Sequence, residues 1–112
     1  MTGPNAVEAF ATLDLRVGRI VQAERNARAR KPSYKLWIDF GPLGQKISSA
    51  QLTARYSAED LPGRLVVAAM NLGQRNVAGF ISEVLVLGVP DAEGETVLLS
   101  LEREVPLGGR VY

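Results

Sequence analysis

Seven consecutive residues, Tyr34-Lys35-Leu36-Trp37-Ile38-Asp39-Phe40, alternate between an apolar and a mixed, largely polar set. A strand turns successive side chains to opposite faces, so Tyr34, Leu36, Ile38 and Phe40 share one face and Lys35, Trp37 and Asp39 the other. One face belongs in a core and the other looks outward. This segment therefore needs partner strands that close over an apolar interior.

Those partners are legible on both sides. Leu13, Leu15 and Val17 alternate before the phase slips and Ile20 falls out of step, with Gly18 at the slip. This predicts a first strand over 13–23, bulged or sharply bent at Gly18 as it curls around a small barrel. Gly41-Pro42-Leu43-Gly44 is a tight connection to a third strand over 45–52. Ser57 as an N-cap predicts a helical turn over 57–61, stopped by Pro62-Gly63. The continuous apolar run 65–70 reads as a central strand covered on both faces. Residues 71–79 read as a loop, 80–88 as a fifth strand, 96–101 as an additional strand, and 105–112 as an irregular or edge-strand tail. At the front, Pro4 precedes a capping box, Asn5-Ala6-Val7-Glu8, and predicts a short helix over 5–12. Val7, Phe10 and Ala11 share its apolar face. Such a helix is too short to stand alone, so that face must dock on the barrel or on a partner subunit.

Five strands with a small helical insert between the third and fourth give an all-β chain in the OB-fold order. The expected architecture is a five-stranded barrel with a short N-terminal helix and extra C-terminal strands, in a single domain spanning 1–112. An OB-fold presents ligands to its second and third strands and to the loops beside them.

Composition narrows the function classes. The 112 residues contain no cysteine and no histidine, which removes disulfides, thiolate nucleophiles, Cys/His zinc sites and Ser-His-Asp triads. The acidic residues are scattered, so no metal site, cofactor or enzymatic activity is expected. At 46% hydrophobic and 22% charged the balance is that of a folded globular protein. The longest apolar stretches, 65–70 and 84–87, are too short to span a bilayer, and the N-terminus lacks the basic start and apolar run of a signal peptide. No membrane insertion and a cytoplasmic location are the expectations. The net charge of +1 hides an asymmetry: Arg25, Arg28, Arg30, Lys31 and Lys35 lie in one acid-free stretch. Without those five the 13 basic residues fall to 8 against 12 acidic, net −4.

The basic stretch runs through the connection between the first two strands and into the second. Arg30, Lys31 and Lys35 thus flank the face that carries Trp37. An aromatic beside cations suits looped or single-stranded nucleic acid, whose bases stack and whose phosphates pair with cations. The alternative for Trp37 is packing beneath the N-terminal helix or at a subunit contact. Ser48, Ser49, Gln51 and Thr53 form a polar group that is either a donor set or ordinary edge polarity. Asn71, Gln74, Arg75 and Asn76 populate the second loop flanking the face, and Phe80 follows it. Ser82-Glu83 opens an apolar strand, and that carboxylate calls for an Arg or backbone N–H partner rather than a catalytic role.

The segments DLRVGRI (14–20), ARKPSYKLWIDFG (29–41), SSAQLT (48–53), NLGQRNVAGFISEVLVLG (71–88) and the closing VPLGGRVY resemble the CsaA family. That family belongs to the larger group of tRNA-binding domains, either appended to aminoacyl-tRNA synthetases or free-standing. The resemblance runs from about residue 8 to the C-terminus. It implies an OB-fold homodimer of the bacterial cytoplasm with chaperone activity connected to protein export, binding unfolded or precursor polypeptides and the export ATPase SecA. Free-standing relatives bind tRNA by shape. Carried over by position, the residues implied to face a ligand are Lys31, Lys35, Ser48, Ser49, Gln51, Asn71, Ser82 and Glu83. Three roles follow: an export-related chaperone from the resemblance, a structure-specific tRNA binder from the residue chemistry, and a dimeric accessory domain if the barrel faces serve oligomerisation alone.

Overall fold

In a computed structural model, residue 3 and residues 5–112 are described; Pro4, placed before the capping box above, lies outside them. The elements are α1 (Ala6–Thr12), β1 (Leu15–Arg25), β2 (Tyr34–Asp39), a 3-10 turn (Gly41–Leu43), β3 (Gln45–Ala50), β4 (Leu65–Ala69), β5 (Arg75–Val77), β6 (Phe80–Ser82), β7 (Leu85–Val86), β8 (Gly88–Pro90) and β9 (Thr96–Leu98).

The main sheet has the order β3-β2-β1-β4-β7 and is antiparallel throughout. β1 is long because it serves two neighbours. Leu15–Arg19 pairs with β4 and Arg19–Arg25 with β2, so the strand must curl as it passes from one to the other. The ends of the sheet meet where the Glu83 and Val84 amides both donate to the Ile47 carbonyl (2.8 and 3.3 Å). The result is a nearly closed five-stranded antiparallel barrel of the OB type. Its interior holds the expected set: Leu36, Ile38 and Phe40 are fully buried with Ile20, and Tyr34, Leu52, Leu61, Val66, Ala68 and Val84 complete the cluster. The Tyr34 hydroxyl donates to the Tyr56 carbonyl at 2.8 Å, which satisfies the one polar atom that the β2 core face carries inward.

Several expectations are corrected in detail. The register slip in β1 falls between Ile20 and Gln22, at Val21, and not at Gly18. Gly18 answers a different need. A Cβ there would stand 2.6 Å from both Ile38 Cγ2 and Phe40 Cε1, so the strand passes too close to the β2 core side chains for any side chain of its own. Residues 57–61 form a turn, closed by the Asp60 amide on the Ser57 carbonyl (3.1 Å), but not a helix. The presumed loop 71–79 contains β5, paired with β6 in a hairpin. Its two-residue turn, Ala78-Gly79, has φ of 51° and 87°, and the Asn76 Oδ1 accepts the Gly79 amide at 2.8 Å. The fifth strand is split into β6, β7 and β8, because Glu83 and Val84 turn their amides to Ile47 instead of continuing the ladder.

α1 begins as expected, with the Asn5 side chain accepting from the Glu8 amide (2.9 Å) and the Asn5 amide group donating to the Glu8 carboxylate (3.2 Å). Its apolar face docks on nothing among the described residues: Val7 is 78% exposed and Phe10 45%. Hydrogen bonds hold the helix at its C-terminal end, where Arg110 donates to the Ala11 and Leu13 carbonyls and Asn71 to that of Thr12. No helix among the described residues is long and apolar enough to cross a membrane.

Candidate ligand groove

Two loops frame the outer side of the barrel, and their own hydrogen bonds fix their shape. The connection from β1 to β2 is closed by the Asn26 amide on the Ser33 carbonyl (2.9 Å), and the buried Asn26 side chain donates across to the Val77 carbonyl (3.2 Å). That bond ties the basic loop to the β5–β6 hairpin. The hairpin is pinned on its second strand by Phe80, which pairs with Val77 and meets Trp37 edge to face at 5.7 Å between ring centres. Lys35 places its ammonium 5.7 Å from the Phe80 ring centre. Lys35 and Trp37 thus stand half-buried on the non-core face of β2, as the alternation requires. Trp37 packs against Phe80.

Between the two loops and the end of β3 lies an open groove of about 770 Å³. Its rim carries four cations, Arg28, Arg30, Lys31 and Arg75. None of the four forms an ion pair with a carboxylate among the described residues, and no carboxylate lines the groove. Its aliphatic lining comes from Ala50, Val77 and Val84 and from the exposed Leu72 and Leu85. No aromatic side chain lines it.

The twelve residues singled out in the sequence separate into four groups. Arg30, Lys31, Ser49, Gln51, Arg75 and Ser82 converge on the groove. Lys35, Trp37 and Phe80 form the adjoining cluster that seats the hairpin. Asn71 and Glu83 border a smaller depression beside Lys46, and both are committed to the backbone. Asn71 accepts the Asp14 amide (3.0 Å) while donating to Thr12, and Glu83 Oε1 accepts the Ile47 amide (3.0 Å). A backbone N–H is one of the two partners the sequence called for at Glu83. Ser48 is a correction. It is fully buried, because the β2–β3 register sets it opposite Leu36 on the core face, and its hydroxyl cannot reach a ligand. Ser82 reaches the groove only at its edge: its hydroxyl accepts the Ser49 amide (2.9 Å) and donates to the Val84 carbonyl (3.2 Å).

Two polar groove residues escaped the sequence reading. Arg28 was visible only as one member of the basic stretch, and Gly79 lets the hairpin approach it: a Cβ at Gly79 would sit 3.0 Å from its guanidinium. Ser33 precedes β2, is 3% exposed, and its hydroxyl has no hydrogen-bond partner among the described residues. Nothing in its neighbourhood in the sequence marks it apart from an ordinary turn serine.

A nearly closed five-stranded barrel with a cationic groove between its flanking loops defines a small OB-type binding module. Residues 15–110 match the family model described as a putative tRNA binding domain, and the chain belongs to that family. Within it, the solved structures of CsaA chaperones are similar over their whole length. The protein from Bacillus anthracis str. Ames is 50% identical with a TM-score of 0.89, covering 98% of this chain and 100% of that one. The protein from Picrophilus torridus is 37% identical with a TM-score of 0.89, covering 97% and 100%. The methionine–tRNA ligase of Methanocaldococcus jannaschii is 34% identical over 99 residues, which is 88% of this chain but 15% of the ligase. The chain therefore spans about one-seventh of the synthetases it matches and the full length of the CsaA chains.

Proposed function

We propose that this protein is a CsaA-type molecular chaperone that holds unfolded or precursor polypeptides in the groove between its loops, without catalysis. The groove's aliphatic lining beside a charged rim is the observation that carries this reading. A pocket of several hundred cubic ångströms with an apolar lining suits the exposed aliphatic side chains of an unfolded chain. Each square ångström of apolar surface it covers is worth roughly 25 cal/mol, without regard to sequence. The reading extends to a cytoplasmic homodimer whose clients are export precursors passed to SecA. The uncovered Val7 and Phe10 on α1 favour the dimer, since a second copy would bury them. Adding the purified protein in stoichiometric amounts to a diluted, denatured client, without ATP, should suppress light scattering. Unchanged aggregation would defeat the proposal.

Structure-specific tRNA binding is the second reading, favoured by the four rim cations and the absence of any carboxylate among them. It requires a complex at low salt whose affinity falls steeply as salt rises, because binding releases counterions from the phosphates. Replacing Arg30, Lys31 and Lys35 together by Ala should abolish that complex. A tRNA titration at low salt with no shift removes this reading.

A further inference from the structure

The groove's chemistry is more selective than a simple apolar trough, and the selection rests on three observations. Its apolar lining is aliphatic and carries no aromatic, so it offers no surface on which bases stack. Four cations line it with no carboxylate beside them, so its field is of one sign. Ser33, within the same lining, is almost entirely buried and holds a hydroxyl that nothing else among the described residues engages. A buried hydroxyl without a partner is costly, and natural proteins carry few of them. It borders the groove but is covered there, so an acceptor reaches it only once a bound segment displaces the side chains over it.

The geometry points to a client rule that builds on the chaperone reading: the groove selects polypeptide segments in which aliphatic residues are flanked by aspartate or glutamate. The aliphatic side chains of the segment cover Leu72, Val77 and Val84. The flanking carboxylates meet Arg28, Arg30, Lys31 and Arg75, and the Ser33 hydroxyl supplies a donor to one of them. A lysine- or arginine-flanked segment fits the aliphatic lining equally well but meets like charge on the rim and has no flanking carboxylate to offer Ser33. The rule separates clients by their charge context, while the apolar contact supplies affinity common to all.

The test uses the full-length protein and dye-labelled short peptides that share one aliphatic centre and carry Glu, Ser or Lys on both flanks, followed by fluorescence anisotropy at low and high salt. The Glu-flanked peptide should bind about tenfold more tightly than the Lys-flanked one, with the gap closing as salt screens the rim. Ser33→Ala should weaken the Glu-flanked peptide by about tenfold, the size of one hydrogen bond to a charged group, and leave the Lys-flanked peptide unchanged. Ser48→Ala serves as the control, because that hydroxyl is also unpartnered but faces the core; it should alter no affinity. Equal or tighter binding of the Lys-flanked peptide overturns the rule. If the same preparation still suppresses client aggregation, the rule fails while the chaperone reading stands. If no peptide binds, aggregation is unchanged and tRNA is bound through Arg30 and Lys31, both fail and the groove is a phosphate site.

Discussion

Gly18→Ala tests the argument that β1 is shaped by how closely it crosses the core face of β2. The added Cβ would meet Ile38 Cγ2 and Phe40 Cε1 at 2.6 Å and Phe40 Cδ1 at 2.8 Å. Carbon atoms in good contact lie about 3.5–4.0 Å apart, so both neighbours must retreat by roughly 1 Å. Neither has room, since both are fully buried in the same cluster as Ile20 and Leu36. Overpacking of this kind costs about 1–3 kcal/mol, and two displaced side chains place it in the upper half of that range. Gly18 has no positive φ, so alanine returns about 0.5–1 kcal/mol by restricting the unfolded chain. The net loss is about 1–2 kcal/mol, which for a domain of this size lowers Tm by roughly 4–8 °C. Urea unfolding should show a lower midpoint with an unchanged slope, the mark of a stability change without a change in exposed surface. A variant as stable as the parent would refute the close-crossing account and return Gly18 to the role of a simple bend.

Two further outcomes check the barrel closure and the turn between β8 and β9, where Asp91 meets Arg55. Glu83→Ala leaves the Ile47 amide without its side-chain acceptor, and urea unfolding should show a loss of about 1–2 kcal/mol that Glu83→Gln largely restores; equal losses in both would assign the effect to charge. Asp91 is held below the usual carboxylate range, chiefly by the hydrogen bond from Arg55 (2.8 Å) and then by the Glu93 and Glu95 amides. The folded chain thus binds this proton less readily than the unfolded one, so the contribution is complete above the ordinary aspartate range near pH 4 and is lost as acid protonates the folded carboxyl. Thermal unfolding of Asp91→Asn should therefore show a smaller Tm drop between pH 6 and pH 3 than the parent, and an identical drop would remove Asp91 from the acid response.

The barrel was legible because its evidence is periodic: β2 announces which side chains face inward, and Leu36, Ile38 and Phe40 are there. The same rule misplaces nothing on β2 and would have corrected Ser48, had the β2–β3 register been known. Opposite Leu36 a residue faces the core, and the sequence gives polarity at Ser48 and Ser49 but not which of the two turns inward. That register is set by the turn between the two strands, where the Phe40 amide donates to the Gly44 carbonyl (3.0 Å) and Asp39 pairs with Gln45. The site divides along the same line. The basic stretch could be seen as a run of like charge, but its purpose depends on what it faces. That is decided by Asn26 reaching 51 residues ahead to Val77, and by Phe80 seating the hairpin on Trp37. Those two contacts take the aromatics out of the groove and leave it aliphatic. A run of aromatics and cations in the sequence becomes, in three dimensions, a groove lined by cations and aliphatic side chains, with Trp37 half-buried against Phe80 beside it.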